Sequence, residues 1–349
     1  MWHEKGAPSP EPILAPALRP GDAIGYFSPS SPATAFAPKR YARARAYLEE
    51  KGFKLVSGSL SGASDYYRSG SIRARADELN MLIRDPKVRC IMSTIGGSNS
   101  NALLPYLDYD ALIADPKIII GYSDVTSILL AIYQKTGLVP FYGPALVASF
   151  GEFSPLVDDT FQSFASLVMA EDASAHTYTL PDAWSDEMIP WEEQERPKDL
   201  RPNACAFLGS GSVSGRLIGG NLNTMWSIWG SPYMPLIRKG DILFIEDSMK
   251  SISTVERLFV FLKINGVLDR VAALLLGKHE LFDDQGTGRS PLDVLKEVLD
   301  GQELPIVDGF DCCHTHPMLT LPIGLQVSVD FDHKAVSVHG PWVRSAGLL

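Results

Sequence analysis

The sequence predicts an α/β protein with an N-terminal, doubly wound, mostly parallel sheet and a second domain of mixed, strand-rich architecture. Three observations lead to this prediction. With 349 residues, the chain is too long for one ordinary core, so two domains are expected. Strand-like and helix-like segments alternate from residue 13 to about residue 165. From residue 206 onward, glycines and short strand-forming runs dominate instead.

In the first domain, residues 13–165, each predicted strand is an apolar run that ends in turn residues or glycine. These runs are 22–32, 53–58, 88–97 and 117–120. Helical composition predicts helices between them, at 38–52, 71–86 and 101–116, the last broken by Pro105. In sheets of this kind ligands bind beyond the carboxyl ends of the strands, so the functional site is expected there.

The other domain boundaries follow from changes in composition. Residues 1–12 are predicted to be a disordered arm, since five prolines occur in the first twenty residues. Residues 166–205 are polar, proline-rich and aperiodic, which predicts a linker and substrate loop. Residues 206–349 form the predicted second domain, with one clear helix at 254–266 and strands in "DILFIEDS", "VAALLLGKHE", "LPIVDGFD" and "AVSVHG".

Charge and composition argue against several classes of function. The net charge of −10 disfavours nucleic acid or an anionic membrane as a partner. No run of about 18 apolar residues occurs, so a membrane span is not expected. The four cysteines form no C-x-x-C pair and are too few for a disulfide framework, which predicts a reducing, cytoplasmic location.

The segment "KIIIGYSDVTSILL" places Ser123 between an apolar strand and a helical face formed by positions 125, 128, 129 and 132. Gly121 allows a sharp turn, and a helix that starts beside the serine directs free N–H groups toward a neighbouring ligand. These are features of a nucleophile elbow, although Val125 replaces the second glycine of G-x-S-x-G. From these residues alone, a serine that merely caps the helix stays an open alternative.

Three further strand ends carry residues that suit catalysis. The glycine pair in "STIGGSNSN" leaves N–H groups uncovered, as an oxyanion hole requires, although a tight turn explains it equally well. Glu246 ends an apolar strand and either caps the next segment or orients a histidine. His314 and His316 in "GFDCCHTHPMLTLPIG" could share a metal ion, or one could be a general base. Together with Ser123, these residues supply the components of a serine-hydrolase triad.

At these positions the sequence resembles the LD-carboxypeptidases, a family of serine peptidases, and most closely the subgroup that contains the microcin C self-immunity peptidases. The similarity extends from about residue 17 to residue 345. It rests on motifs in a fixed order: "LRPGDAIGYFSPSSP", "TIGGSNSNALLPYLDYD", "PKIIIGYSDVT", "GRLIGGNLNT", "ILFIEDS" and "HTHPMLTLPIG". The resemblance implies a small β-barrel in the second domain, a site in the cleft between the domains, and a homodimer.

The resemblance also implies roles for individual residues. Those of the chemical step are the nucleophile Ser123, its partners Glu246 and His314, and an oxyanion hole formed by the N–H groups of Gly97 and Asp124. His316 is then not the catalytic histidine, and neither a metal nor a cofactor is expected. Cys313 departs from the family, in which glycine often precedes the catalytic histidine.

For the substrate, the resemblance leaves two branches: release of D-alanine from a murein tetrapeptide, or cleavage of an amide that joins an aspartyl group to a nucleotide. The second is predicted here. An exposed Trp191 suits a nucleobase, and Lys250 follows Glu246 by four residues as in the immunity-type motif. Asn221 and Asn223 are expected to add polar contacts. Alternatively, Trp191 covers apolar residues of its own loop and Lys250 is a solvated charge.

The predicted partner is therefore a small peptide or an aminoacyl-nucleotide, and not nucleic acid or a membrane. Two alternatives from other classes stay open: a metal-dependent amidohydrolase that uses His314 and His316, and a non-catalytic ligand-binding module on the same sheet.

Overall fold

The computed structural model describes residues 11–170 and 172–345. The arm predicted for residues 1–12 lies, except for its last two residues, outside the described residues. The strands are, in chain order, β1 (Ala23–Phe27), β2 (Lys54–Ser57), β3 (Val88–Ser93), β4 (Ile118–Gly121), β5 (Phe141–Tyr142), β6 (Ala175–Thr177), β7 (Ala183–Trp184), β8 (Arg201–Pro202), β9 (Ala206–Leu208), β10 (Ser212–Asn221), β11 (Ile242–Glu246), β12 (Ala273–Gly277), β13 (Ile306–Phe310), β14 (Leu321–Pro322), β15 (Gln326–Asp330) and β16 (Ala335–His339).

The helices are α1 (Ala33–Phe36), α2 (Pro38–Glu50), α3 (Ile72–Arg84), α4 (Tyr109–Ala114), α5 (Thr126–Thr136), α6 (Leu146–Phe150), α7 (Leu156–Val168), α8 (Leu222–Ile228), α9 (Ile252–Ile264) and α10 (Pro291–Leu299). Two 3₁₀-helices cover Ser100–Tyr106 and Ser123–Val125. No helix in 11–170 or 172–345 is long and apolar enough to cross a bilayer.

The first sheet has the strand order β14-β5-β4-β3-β1-β2, in which β1 to β5 run parallel and β14 pairs antiparallel with β5. The predicted parallel sheet is thus confirmed. Strand β4 is buried along its whole length, which explains its continuous apolar run. The order reverses beside β1, since the chain goes from β1 to β2 on one side and then to β3 on the other. A crevice forms at the carboxyl ends of strands where the order reverses in this way.

The second sheet has eight strands in the order β6-β16-β15-β10-β11-β12-β13-β9. Strands β10 to β13 are parallel, and the strands outside them pair antiparallel. A mixed, strand-rich second half was predicted, and it is confirmed. The small β-barrel implied by the resemblance does not occur as a closed ring, because β6 and β9 form two separate edges among the described strands.

Two helices of the second half were not predicted. The glycine-rich segment at 211–230 was interpreted as strand-forming, but it turns at Asn221, whose side chain accepts from the Thr224 N–H and starts α8. Helix α10 begins with a capping box between Ser290 and Asp293. The predicted helix at 254–266 is confirmed as α9, which begins two residues earlier and ends two residues earlier.

Each sheet contains one strand from outside the range of residues predicted for its domain. Strand β6 comes from the predicted linker and pairs with β16, whereas β14 comes from the predicted second domain and pairs with β5. The boundaries at 165 and 206 stay a prediction. For the site, the important register is that of β10 and β11, which aligns Asn221 with Glu246 at the carboxyl ends of both strands.

Candidate active site

Ser123 occupies a strained turn between β4 and α5. Its φ is 63°, in the left-handed region that non-glycine residues adopt only at a cost of about 1–3 kcal/mol. Across the turn lies Gly96, where a Cβ atom would stand 2.7 Å from Cβ of Ser123 and 2.8 Å from its Oγ. Only glycine therefore allows this close approach. Among the described residues the Ser123 hydroxyl has no hydrogen-bond partner, so it does not cap the helix.

The carboxylate of Glu246 is completely buried and lies at the end of β11. Its Oε2 is 2.6 Å from Nδ1 of His314. Its Oε1 accepts hydrogen bonds from the Tyr142 hydroxyl at 2.6 Å and from the Asn221 amide at 3.0 Å. Three neighbours thus fix both oxygens, and the imidazole is held with Nδ1 toward the carboxylate and Nε2 free for proton transfer.

The electrostatics of this pair favour the charged forms. Burial raises the pKa of the Glu246 carboxyl, but the charge and hydrogen bond of His314, together with the hydrogen bonds of Tyr142 and Asn221, outweigh burial and hold that pKa below its usual range. For His314, burial lowers the pKa, whereas Glu246 raises it, and the net pKa is above the ordinary value. Glu246 therefore stabilises a proton on His314, as a base that must accept one requires.

Ser123 and His314 both line a pocket of about 460 Å³. Of the other residues predicted for the site, the ones that also line it are Gly97, Trp191, Asn221, Asn223 and Lys250. Glu246 and Asp124 lie behind the wall of the pocket, and the side chain of Asp124 is buried. Its carboxylate accepts from the N–H groups of Asn99 and Ser100 at 3.0 and 2.9 Å, which ties the glycine-rich turn after β3 to the Ser123 turn.

The polar residues predicted to bind the substrate differ in how many hydrogen bonds they already make within the protein. The amide of Asn221 donates to Glu246 and, at 3.3 Å, to Asp247, and its oxygen caps α8. Asn223 donates its backbone N–H to Asp247 at 3.1 Å and also lines the pocket. The Lys250 ammonium lies 3.1 Å from the Ser248 carbonyl oxygen and 3.5 Å from Asp247. Asn221 thus positions the carboxylates, whereas Asn223 and Lys250 remain suited to ligand contact.

Trp191 belongs to the loop of residues 183–203, which forms one wall of the pocket. Its ring centroid is 5.9 Å from that of Phe36, and the Arg40 guanidinium lies 4.7 Å from the ring centroid. The loop is fastened to the second half of the chain by backbone bonds of 2.8 and 3.0 Å between Ser185 and His316. Trp191 thus packs on residues of α1 and α2, is partly exposed and lines the pocket.

A metal site formed by His314 and His316 lacks the ligands it needs. Within residues 11–170 and 172–345, no group of three or more histidine, cysteine, aspartate or glutamate side chains is arranged to hold a metal ion. Nδ1 of His314 is bonded to Glu246. Burial, together with the charges of Lys198 and Arg40, lowers the pKa of His316 well below its ordinary value. His316 is therefore a neutral residue of the pocket wall.

Sequence reasoning missed Tyr142, which connects the two halves of the site. Its hydroxyl donates to Glu246 at 2.6 Å and lies 3.2 Å from the backbone N–H of Ser123, from which it accepts. Burial and the neighbouring Glu246 raise the pKa of Tyr142 well above its ordinary value, so the hydroxyl keeps its proton. Strand β5 ends at this residue, and a polar group at a strand end was the signal available in the sequence.

Replacing Tyr142 by phenylalanine should lower kcat/KM about 10- to 100-fold, because a hydrogen bond to a buried charge contributes about 1.5–3 kcal/mol. The acid limb of the pH profile of kcat/KM should move to higher pH. A carboxylate with one hydrogen bond fewer attracts the proton of His314 more strongly. Tyr109→Phe, which removes a hydroxyl bond of 2.8 Å to Leu104 away from the pocket, is the matched control. If the pH profile of Tyr142→Phe matched that of the wild type, Tyr142 would have only a structural role.

Comparisons with known proteins identify the family of this chain. The family model for the LD-carboxypeptidase N-terminal domain matches residues 24–143, and that for the LD-carboxypeptidase C-terminal domain matches residues 214–329. The chain belongs to the LD-carboxypeptidase family. It is a serine-type carboxypeptidase by membership in that family, and the predicted enzyme class is thereby confirmed.

Two relatives and one solved structure are similar over nearly the whole length of this carboxypeptidase. A putative carboxypeptidase of Vibrio cholerae is 62% identical over 95% of this chain and 99% of its own. The microcin C7 self-immunity protein MccF of Escherichia coli is 60% identical over 94% of this chain and 96% of its own. A structure of that self-immunity protein in complex with aspartyl sulfamoyl adenosine superimposes with a TM-score of 0.94, at 60% identity over 95% of this chain and 100% of the other.

Proposed function

We propose that this carboxypeptidase hydrolyses the amide that joins an aspartyl group, as an aminoacyl or peptidyl unit, to a nucleotide. The observation that carries the proposal is one pocket lined at once by Ser123, His314, Trp191 and Lys250. It offers a nucleophile and its base, an aromatic ring for a nucleobase and a cation for a phosphate. The similarity to a self-immunity protein that binds aspartyl sulfamoyl adenosine supports the same substrate class.

In the proposed mechanism, Oγ of Ser123 attacks the amide carbonyl while Nε2 of His314 accepts its proton. Glu246, held by Tyr142 and Asn221, orients the imidazole and stabilises the imidazolium. His314 then donates the proton to the leaving nitrogen as the C–N bond breaks. In the second half, His314 takes a proton from water as the water oxygen attacks the ester, and it returns that proton to Oγ of Ser123 when the C–Oγ bond breaks and the acid leaves.

The negative oxygen of the tetrahedral intermediate is proposed to bind to the N–H groups of Gly97 and Asp124. Asp124 is the second residue of the 3₁₀-helix Ser123–Val125, so its N–H is among those that a helix start leaves without an internal partner. Gly97 has a φ of 145°, and a Cβ there would stand 2.2 Å from Oγ of Ser30. The turn after β3 thus depends on glycine for its path beside the nucleophile.

The proposal extends to location and assembly. Four free cysteines, of which Cys90, Cys312 and Cys313 are buried, support a reducing, cytoplasmic location. A homodimer is proposed from the family resemblance, and measurement of the molar mass in solution tests it.

The experiment that tests the proposed function is a side-by-side assay of an aspartyl-adenylate amide and a murein tetrapeptide. We expect a kcat/KM for the nucleotide amide well above that for release of D-alanine from the tetrapeptide. The reverse ranking would assign the enzyme to the murein branch of its family. Addition of EDTA should leave either rate unchanged, because the proposed mechanism uses no metal.

Replacing Trp191 by alanine should raise KM for the nucleotide amide about 5- to 150-fold, which corresponds to about 1–3 kcal/mol of base–aromatic stacking. If stacking is equal in the ground and transition states, kcat should hardly change. Hydrolysis of a murein tetrapeptide, which has no base, should be almost unaffected. Trp191→Phe should recover part of the loss.

The matched control is Trp226→Ala. That side chain is 47% exposed, lies 5.2 Å from the Arg257 guanidinium and is outside the pocket. It should leave both substrates unchanged. An equal effect of Trp191→Ala on both substrates would mean that Trp191 only supports the loop through its packing on Phe36 and Arg40.

A further inference from the structure

Lys198 is a buried cation that points into the catalytic pocket and has no assigned role. It lies in the loop of residues 183–203, and its side chain is only 6% exposed. It lines the pocket together with Ser123, His314 and His316. Its nearest carboxylate oxygen is Oε2 of Glu152, at 3.7 Å, which is too far for a hydrogen bond. The ammonium makes no hydrogen bond to the described residues.

Glu152 does not neutralise this ammonium, because its carboxylate already serves other groups. Oε2 accepts from the Arg40 guanidinium at 3.1 Å. Oε1 accepts from the Gln194 amide and from the Phe153 N–H. Arg40 and Glu152 are both fully buried and cancel each other's charge. The cluster therefore keeps one net positive charge, and an uncompensated buried charge is expensive.

Three other carboxylates act on Lys198, those of Asp186, Glu187 and Glu280, and each has another partner; Asp186 forms an ion pair with Arg201 at 3.0 Å. Glu187 is bonded to Arg196 and to the Asp199 N–H, and these bonds close the loop on both sides of Lys198. Glu280 accepts from the Ser248 hydroxyl. No ion pair joins any of these three carboxylates to Lys198 within 4 Å in the described part of the chain. Burial lowers the pKa of Lys198, and the charges of Glu152, Glu280 and Asp186, which raise it, do not outweigh burial and Arg40, so a bound anion would further favour the charged ammonium.

We propose that Lys198 binds the side-chain carboxylate of the acidic aminoacyl group and thereby sets the acyl specificity of the enzyme. This inference rests on the proposed function. The proposed substrate carries two anionic groups, the aspartyl carboxylate and the phosphoryl group, and the described lining of the pocket contains two lysines, Lys198 and Lys250. Lys250 follows β11 and serves the nucleotide, which leaves the loop lysine for the acyl side. The flexible four-carbon stem of lysine suits aspartyl and glutamyl side chains alike.

The test measures binding to a Ser123→Ala variant, so that no probe is consumed. The probes are aspartyl sulfamoyl adenosine and asparaginyl sulfamoyl adenosine, which differ only in the charge of the acyl side chain. We expect the aspartyl probe to bind about 10- to 100-fold more tightly, as a hydrogen bond between charged groups implies. Adding Lys198→Met should abolish this preference by weakening the aspartyl probe alone. Adding Lys198→Arg should retain part of it.

Two controls separate the outcomes. Lys250→Met should weaken both probes by the same factor, and Lys54→Met, at an exposed position outside the pocket, should affect neither. Equal weakening of both probes by Lys198→Met would assign Lys198 to the nucleotide or to loop structure and overturn the inference. Equal binding of the two probes to the Ser123→Ala variant alone would also overturn the inference. That result does not depend on whether the double variant folds. Failure of both probes to bind, with a tetrapeptide still bound, would instead contradict the proposed function.

Discussion

Replacing Ser123 by alanine should reduce kcat by a factor on the order of 10⁶, because a triad without its nucleophile retains only binding and oxyanion stabilisation. Affinity for the substrate should stay near that of the wild type, since only one oxygen is removed. The hydroxyl has no hydrogen-bond partner among the described residues, so its loss leaves no group unsatisfied. The left-handed φ of 63° is equally strained for alanine, and the melting temperature should change little.

The measurement combines single-turnover kinetics with calorimetric binding of the same substrate. Ser98→Ala is the matched control, because this exposed serine also lines the pocket and its hydroxyl makes no described hydrogen bond. It should retain activity close to that of the wild type. If Ser123→Ala kept more than a tenth of the activity in a preparation free of wild-type enzyme, Ser123 would not be the nucleophile.

The sequence located the groups that lie at strand ends, because those signals are local. The apolar run before Ser123 and the helical spacing after it predict the turn, and the structure has β4 and α5 there. Glu246 and His314 were proposed from the same kind of strand-end signal, and the choice of His314 over His316 came from the family resemblance. Helix α10 could have been predicted in the same way, because "SPLD" combines a serine cap, a proline and an acidic third residue, but it was not predicted.

Contacts between distant segments were not predictable from one sequence. Tyr142 meets Glu246 only because the end of β5 in one sheet faces the end of β11 in the other, 104 residues away in the chain. Glu187 closes the loop around Lys198, and Lys198 lacks a counter-charge of its own because Arg40, in a helix more than a hundred residues earlier, already pairs with Glu152. In the sequence, Lys198 is one charge in a polar loop, and nothing local distinguishes it from a solvated lysine.

Replacing His314 by alanine should be about as damaging as the serine variant, with a loss on the order of 10⁶ in kcat, since members of a triad act as a unit. In the wild type, the base must be neutral to accept a proton. Because Glu246 raises the pKa of His314 above its ordinary value, kcat/KM should fall as pH drops through that raised pKa. The pH profile of kcat/KM measures this limb, and its midpoint should lie above the ordinary histidine value of about 6.5.

His316→Ala should be milder, although this histidine is also buried and also lines the pocket. Its pKa is well below the ordinary value, so it is neutral, and its backbone, which alanine retains, makes the bonds to Ser185. The main cost is a cavity in the pocket wall, which affects stability and KM more than the proton transfer. A metal mechanism requires the opposite pattern, because two ligands of one ion matter alike. Equal loss in both histidine variants, together with loss of activity in EDTA, would therefore replace the serine mechanism by a metal-dependent one.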